Sequence, residues 1–468
     1  MKTIFIPNFN WPVFFLVACI LRLSFIDLSW AGYIVILLSL YQFALLFASM
    51  GHFIPIRYLL GSFMCIQFFI GPALAYNGLD KYQYFLYRMQ IPEMEYFSYA
   101  IPAVLAFIAG LHLFAGNLDG EVADEKRIRL FVQNNPKLPY AFIIIGFFIS
   151  ILSSFFSSDL AFVFYLLGNF KFIGLFLLIL GSKQLKVLPL VVVMGSIISS
   201  SLGEGMFHDL LTWIIFTGAI FAIKYKIKFR TKLIGASAFI FLALTIQLLK
   251  NNYRTAISNG GAEGGIETFT NLYETENKNN SLFSFEKIAK SNVRINQGFI
   301  ITNIMKTIPG KQPFSDGEEM YEIFEAAILP RILAPDKLKA GDQAIFFKYS
   351  GIRLTEGTSM GLSSLGDAYI NFGVIGGCLF MFFLGLLYGG VLNLFKKNSS
   401  KYPVLILFTA LVFYYPIRPD CELQTILGHV FKSVFLIYAM ISGWKSTFFV
   451  PSKFVIKDND FSRKVLLN

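Results

Sequence analysis

The sequence predicts an all-α protein that crosses a membrane about twelve times. Of its 468 residues 55% are hydrophobic and only 15% are charged, whereas about a quarter of the residues in a soluble domain are charged. Apolar runs of roughly 18 residues, the length that spans a bilayer as a helix, recur through most of the chain. Basic residues also collect in alternate connections between these runs, as they do in cytoplasmic loops.

The apolar runs divide the chain into three parts. Nine predicted spans lie in residues 1–249, a polar segment occupies 250–368, and three further spans with a tail occupy 369–468. Because nine is an odd number, the polar segment is expected on the side opposite to the N-terminus. The predicted spans are, approximately, 11–29, 30–51, 58–76, 97–116, 139–157, 160–181, 187–203, 207–224, 232–249, 369–394, 402–417 and 423–446.

The basic residues predict the orientation of the spans. Connections on the N-terminal side carry most of them, including the dense run 224–232. The short connections on the other side hold Lys81, Arg88 and Arg418. This asymmetry predicts that both termini are cytoplasmic and that 250–368 is external. It also accounts for the formal charge of +11, so nucleic acid is not an expected partner.

Motifs for metals and soluble nucleotide cofactors are missing from the sequence. It contains no His-x-x-x-His pair and no cysteine cluster, and the glycines at 260–265 neither follow a strand nor precede a Lys-Ser/Thr pair. The four cysteines lie mostly within predicted spans and have no paired spacing. We therefore expect neither a metal site nor a cofactor.

Two amphipathic helices are predicted in the external segment. The first covers 283–308 and places a polar stripe on one face. The second covers about 317–329 and begins with a capping box formed by Ser315 and Glu318. Both helices suit either the outer lipid interface or packing on the membrane domain. The polar stripe of the first helix consists of Lys287, Lys290, Arg294 and Gln297.

External arginines and lysines are the candidate anion ligands. Arginine presents a rigid fork of donors that matches two phosphate oxygens at once. Arg294 either binds an anion or simply belongs to a solvated helix face. Arg331, between Pro330 and Pro335, lies on a stiffened loop. The further basic candidates on this side are Arg254, Lys290 and Lys337.

The stretch "TSMGLSSLGDAYINFG" at 358–373 brings a carboxylate to the outer start of the tenth span. Ser364 and Asp367 have the spacing of a capping box, so Asp367 is either a helix cap or a catalytic group. Asp367 and Asn371, four residues apart, share one helix face. The hydroxyls and backbone donors of this helix start favour anion binding, and Ser364, Tyr369 and Asn371 are candidate substrate contacts.

His208 and Glu204 are a second candidate for proton transfer. They lie four residues apart near the outer start of the eighth span. If the stretch is one helix, Glu204 orients the imidazole and His208 is a candidate base. The alternative is an ordinary interfacial histidine.

Three stretches together resemble the Wzy-type oligosaccharide repeat unit polymerases of O-antigen and capsule assembly. They are "RINQGFI" (294–300), "PRILAPDK" (330–337) and "GTSMGLSSLGDAYINFGVIGG" (357–377). The resemblance implies a GT-C-like membrane glycosyltransferase of the bacterial inner membrane that uses polyprenyl-diphosphate-linked oligosaccharides without a metal. It also implies contact with membrane lipids, a flippase and a chain-length regulator.

In this interpretation Arg294 and Arg331 stabilise the diphosphate, and Asp367 takes the proton of the attacking hydroxyl. Gln297 joins the candidate substrate contacts given above.

Two rival functions remain open at this point. A ligase that moves finished polymer to a lipid core uses the same chemistry. A transporter or flippase is favoured by the charges Arg22, Lys171 and Lys432 inside predicted spans. The large ordered external segment and the absence of a sequence repeat favour an enzyme instead.

Overall fold

A computed structural model describes residues 10–25, 27–113, 124–152, 161–258, 263–278, 283–329, 333–334, 336–355 and 358–451. Within these ranges the regular secondary structure consists of helices, and no β-strand is present. The all-helical class predicted from the sequence is therefore confirmed.

The α-helices are numbered in chain order. They are α1 Trp11–Ser24, α2 Trp30–Ser49, α3 Ile56–Cys65, α4 Gly71–Tyr76, α5 Glu93–Leu113, α6 Glu125–Asn134, α7 Leu138–Leu152, α8 Ala161–Gly168, α9 Phe170–Gly181, α10 Val187–Glu204, α11 His208–Tyr225, α12 Phe229–Ser258, α13 Ile266–Lys278, α14 Phe285–Ser291, α15 Gly298–Thr307, α16 Glu318–Ile328, α17 Gln343–Ser350, α18 Ser363–Ser399, α19 Leu405–Val412, α20 Leu423–Gly443 and α21 Lys445–Phe448. A π-helical turn, Ile66–Ile70, joins α3 to α4, and short 3₁₀ turns occur at Leu79–Tyr82, Phe85–Tyr87 and Asn292–Arg294.

Among the described residues eight helical stretches are long and apolar enough to cross a membrane, or nine if the bent pair α6 and α7 is one span. The protein is thus a multi-pass membrane protein, but twelve spans are not confirmed. The eight stretches are 30–49, 56–76, 93–113, 162–181, 187–204, 229–258, 363–399 and 423–443.

Four predicted spans are not among these eight stretches, and each has a local feature that sets it apart. Helix α1 has 14 residues, about 21 Å at 1.5 Å per residue, and α19 has only eight, all buried. Helix α7 meets α6 at a bend of 82°. Helix α11 has charged residues in both its first and its last turn, Asp209 and Lys224. The hydrophobic composition of α19 correctly predicted that this helix is buried. Composition alone does not distinguish burial in protein from burial in lipid.

The first predicted external helix, 283–308, is not continuous. Helix α14 ends at Ser291, a 3₁₀ turn follows, and α15 begins at Gly298. The polar stripe predicted for one face is therefore split. The second predicted helix is confirmed as α16. Its predicted capping box is wrong, because Gly317 is the cap residue. Ser315 Oγ accepts from Glu319 N at 3.0 Å, and Ser315 N donates to Ile370 O at 3.0 Å.

Helix α18 has a break at Gly373, where φ is +63° and ψ is −158°. Glycine adopts this conformation without the steric cost that a Cβ imposes. The ten residues before the break form a separate short helix that carries Asp367. The predicted capping box of Ser364 and Asp367 is wrong, because Leu362 is the cap residue and the hydroxyl of Ser363 accepts from Gly366 N at 3.3 Å.

The two ends of the bundle differ in what they carry. The described residues between 263 and 355 pack on one end, which we call the capped end; there Asn292 Nδ2 donates to Gly71 O at 3.0 Å. At the opposite end Arg127 donates to Val450 O at 2.7 Å and Arg57 to Asn393 Oδ1 at 3.4 Å. Arg57 and Arg127, two of the basic residues expected on the cytoplasmic side, therefore lie at the end away from the capped end.

Helices α5 and α18 pack against each other through glycines. A Cβ on Gly385 would lie 2.2 Å from Phe107 O, and one on Gly110 would lie 2.1 Å from Phe382 O. Small residues allow transmembrane backbones to approach this closely. This contact holds α18, the helix that contains Asp367, against the bundle.

Gly385→Ala is expected to destabilise the protein by about 1–3 kcal/mol, because the added methyl group must push two backbones apart. Gly390→Ala on the same helix is the matched control. Nothing lies within 4 Å of its Cβ position, so alanine there should be neutral or stabilising by up to about 1 kcal/mol through helix propensity. Thermal unfolding in detergent measures both changes. Equal melting temperatures for the two variants would contradict the close α5–α18 contact.

Candidate functional site

Four cations from three distant parts of the chain converge at the capped end. Lys250 and Arg254 lie near the end of α12, Arg294 ends the 3₁₀ turn after α14, and Arg418 lies between α19 and α20. The three arginines are all close enough to Lys250 to act on its charge, as is Asp420. We call Lys250, Arg254, Arg294 and Arg418 the cation cluster.

The end of α12 is held by a buried tyrosine. The hydroxyl of Tyr253 donates to Leu202 O at 2.8 Å, which ties α12 to the end of α10. Gly205 ends α10 with φ at +62°, and a Cβ there would lie 2.9 Å from Cγ of Arg254. The stem of Arg254 therefore packs on the glycine, which fixes where the guanidinium leaves the helix.

Arg294 is positioned through the π-helical turn of the span 56–76. A π turn interrupts the regular backbone ladder and recurs at functional sites. Here Gln67 O accepts from Gln297 N at 3.1 Å, directly beside the Arg294 turn. Arg294 itself is exposed and donates through Nη2 to Asn251 Oδ1 at 2.6 Å. This bond uses one of the five N–H donors of the guanidinium.

Arg418 is the most buried arginine of the cluster. Its side chain is 21% exposed, and Nη2 lies 3.8 Å from Asp420 Oδ2. Gln67 donates to the other oxygen of Asp420 at 3.2 Å, so the same residue of the π turn contributes to placing both Arg294 and Arg418. Asp209 on α11 is also within electrostatic range of Arg418. The four cations thus lie near two carboxylates, which leaves an excess of positive charge suited to an anion.

A cleft with acidic walls lies on the other side of the 418–422 segment. We call it the carboxylate cleft. Its titratable lining consists of Glu319, Asp342, Asp367, Glu422, Lys339 and Tyr349. Its free interior space is about 40 Å³, which holds about three water molecules at 10–15 Å³ each.

Asp367 is the most buried of these carboxylates, with 7% of its surface exposed. The backbone N–H of Leu423 at the start of α20 lies beside it, and the carboxylates of Glu422 and Glu319 are its acidic neighbours. Because Leu362 and Ser363 begin the helix, Asp367 is free of the capping role that the sequence suggested. It is buried, faces the cleft and lies beside like charges, as proton-transferring carboxyl groups often do.

The other carboxylates of the cleft are fixed by hydrogen bonds. Glu319 Oε1 accepts from Tyr349 at 2.5 Å and from Lys348 at 2.9 Å. Burial together with the Glu319 bond raises the pKa of Tyr349 to about 12. Glu422 Oε1 accepts from Gly341 N at 2.8 Å, and burial raises the pKa of Glu422. Glu319 and Glu422 therefore act as fixed walls.

Asn371 lies on the same face as Asp367, as predicted, and lines the cleft. Its Oδ1 accepts from Met320 N at 3.0 Å, and its Nδ2 donates to Asp367 O at 2.8 Å. The Asn371 side chain therefore caps α16, although it belongs to a different helix. It holds Glu319 and Asp367 on facing walls of the cleft.

The 418–422 segment connects the two parts of the site. It carries Arg418 towards the cation cluster and Glu422 into the cleft. A Cβ on Gly361 would lie 2.8 Å from Asp420 O and 2.9 Å from Glu422 N. The glycine of "TSMGLSS" thus lets this stretch pack directly on the connecting backbone.

Several predicted contacts lie away from both parts of the site. Lys290 is exposed and pairs with Glu286 at 2.6 Å, and Lys337 donates to Ala326 O at 3.0 Å at the end of α16. Ser364 is buried outside the cleft lining. Tyr369 also lies outside it, with its ring against those of Tyr99 and Phe314. Packing and capping account for the placement of these side chains.

The pairing of Glu204 with His208 is wrong. Glu204 is the last residue of α10 and His208 the first of α11, with the left-handed Gly205 between them. His208 Nε2 instead lies 2.5 Å from Asp209 Oδ1. Glu204 is exposed, so the reason to assign it a role in orienting the histidine disappears. Arg331, predicted as a diphosphate ligand, lies outside the described residues.

Sequence reasoning missed Lys250, Arg418 and Glu422. In the sequence, Lys250 lies at the boundary between a predicted span and the polar segment. Arg418 contributes there only to the charge asymmetry. The signal that could have identified Arg418 was its rarity, since the short outer connections contain just three basic residues. Glu422 carried no signal, because its place in the cleft depends on how α20 meets α16 and α18.

Comparison with protein-family models, with curated proteins and with solved structures finds no match to this chain.

Proposed function

We propose that the protein polymerises polyprenyl-diphosphate-linked oligosaccharide units into a surface polysaccharide at the outer face of the bacterial inner membrane. The observation that carries the proposal is the convergence of four cations beside a buried carboxylate cleft at one end of a membrane bundle. A soluble diphosphate would need only the cations. A lipid-linked sugar donor needs cations at the membrane surface and a proton acceptor within reach.

The proposed reaction assigns one step to each part of the site. A sugar hydroxyl on one unit attacks the anomeric carbon of another, and the bond from that carbon to the diphosphate oxygen breaks. The hydroxyl proton passes to the carboxylate of Asp367. The polyprenyl diphosphate leaves with the bonding electron pair, and the cation cluster stabilises the charge that develops on it. Arg294, which bonds Asn251, and Arg254, three residues further along the same helix, bind its oxygens in this proposal.

The glycan profile of a deletion strain tests this proposal. Loss of a polymerase is expected to leave single lipid-linked repeat units and no long chains, and the intact gene should restore the ladder of chain lengths. A ligase is the second candidate because it needs the same donor chemistry. Its loss would leave long chains unattached to the lipid core, and that profile would overturn polymerisation.

The charges that favoured a transporter find local partners. Arg22 lies in the last turn of α1, donates to Leu28 O at 2.7 Å and stacks over Trp30 at 4.3 Å. Lys171 lies in the first turn of α9, 5.1 Å from the ring of Phe147. Lys432 lies 5.2 Å from the ring of Phe162. Arg22 is thus at a helix end, whereas Lys171 and Lys432 lie midway along the apolar stretches 162–181 and 423–443, with aromatic rings beside their ammonium groups.

A further inference from the structure

Six exposed apolar side chains form a rim at the capped end. They come from the connection between α4 and α5 and from the start of α14. Tyr84 is 82% exposed, Phe85 69% and Phe285 64%. A contiguous apolar surface of this kind marks an interaction site. The aromatic rim consists of Tyr84, Phe85, Leu86, Phe283, Phe285 and Ile288.

The two segments of the rim are joined by specific contacts. Gln83, itself buried, donates through Nε2 to Ala289 O at 2.7 Å. The rings of Tyr82 and Phe285 meet edge to face at 5.7 Å. Asp80 accepts from Met89 N at 2.9 Å, which closes the connection on itself. The backbone of the rim is therefore held in place by these contacts, and its exposed side chains project from that backbone.

The rim is continuous with a surface that faces lipid. Phe283 stacks on Phe241 of α12 with 5.6 Å between ring centroids. Phe241 and Ile240 are 54% and 57% exposed and belong to a helix apolar enough to span the membrane. Side chains exposed on such a span contact acyl chains. Phe283 therefore lies at the depth of the α12 span. Helix α14 follows Phe283 and leads along the chain towards Arg294.

The charges around the rim fit lipid headgroups. Lys81 is exposed and lies 5.1 Å from the ring of Tyr82. Arg88 donates to Gln83 O at 3.0 Å. Aromatic rings flanked by lysine and arginine are typical of the membrane–water interface, where the rings meet acyl chains and the cations meet phosphates.

The other amphipathic surface predicted from the sequence is already covered. Met320, Ile323 and Ala327 of α16 are buried, and α16 packs on α20. Of the two alternatives, packing on the bundle therefore applies to α16, whereas Phe285 and Ile288 of α14 remain 64% and 41% exposed.

We infer that the aromatic rim inserts into the lipid leaflet at the capped end and anchors α14 there. Arg294 follows three residues after the end of α14, so this anchor sets the cation cluster at the depth of the headgroup phosphates. The position of the rim does not depend on the reaction that the site performs.

Nitroxide accessibility tests the insertion. Cys19, Cys378 and Cys421 are replaced by alanine and the buried Cys65 is kept. Single cysteines at Phe85 and Phe285 are then labelled in the full-length protein, reconstituted in phosphatidylethanolamine–phosphatidylglycerol vesicles. Ile240→Cys on α12 is the lipid control, and Lys311→Cys in the exposed turn after α15 is the aqueous control.

Both rim labels are expected to match Ile240→Cys, with high accessibility to oxygen and low accessibility to a water-soluble nickel chelate. Accessibility like that of Lys311→Cys would overturn the inference, because the rim would then lie in water. Protection from both reagents would also overturn it, since a protein or a second copy would then cover the rim. Only variants that keep the unfolding temperature of the alanine background are compared.

Discussion

Arg294→Lys is expected to reduce polymer formation about ten- to a hundredfold while the protein still inserts and folds. The substitution keeps the charge but replaces a planar fork of donors with a single ammonium group. A charge-assisted hydrogen bond contributes about 1.5–3 kcal/mol, and each 1.36 kcal/mol changes a rate tenfold. Transfer from purified polyprenyl-diphosphate-linked oligosaccharide by the reconstituted protein measures the effect.

Lys290→Met is the matched control for this result. Lys290 precedes Arg294 by four residues, but its ammonium is exposed and paired with Glu286. Removing it should leave transfer unchanged and should not alter folding, because exposed pairs contribute little. If both variants lost activity equally, general positive charge and not the geometry of Arg294 would account for the effect. Near-normal transfer by Arg294→Lys would remove Arg294 from the site.

Asp367→Asn is expected to lower the transfer rate by at least about a hundredfold, the usual contribution of a general base. Asparagine has nearly the same shape, and its carbonyl can still face the backbone N–H of Leu423. The fold should therefore survive, and binding of the diphosphate donor at the cation cluster should change little. Single-turnover transfer, together with donor binding measured separately, distinguishes the chemical step from affinity.

Glu318→Gln provides the comparison for Asp367→Asn. Glu318 is exposed in the first turn of α16, one residue before Glu319, and does not line the cleft. Its loss should leave transfer intact. An Asp367→Asn protein with full activity would make Asp367 a structural residue, and the His208–Asp209 pair near Arg418 would become the next candidate base.

Local sequence patterns predicted the elements whose surroundings are simple. Helix α16 appears almost where its apolar spacing predicts it, although Gly317 and not Ser315 is its cap residue. Asp367 and Asn371 share a face because helical spacing alone decides that. The break between α14 and α15 was missed because it follows from Gln297 bonding the π turn of a distant span, a contact that no local pattern shows.

The sequence by itself determined that this chain is a helical membrane protein with its basic residues sorted between two sides, because hydropathy and charge act on each segment independently. It also determined that a carboxylate stands near the start of a late span. Only the tertiary structure decided which cations meet. Arg418 reaches Lys250 and Arg294 through Gln67 and Asp420, and these contacts join residues hundreds of positions apart. Spacing along the chain carries no information about such contacts, since they depend on how the helices pack.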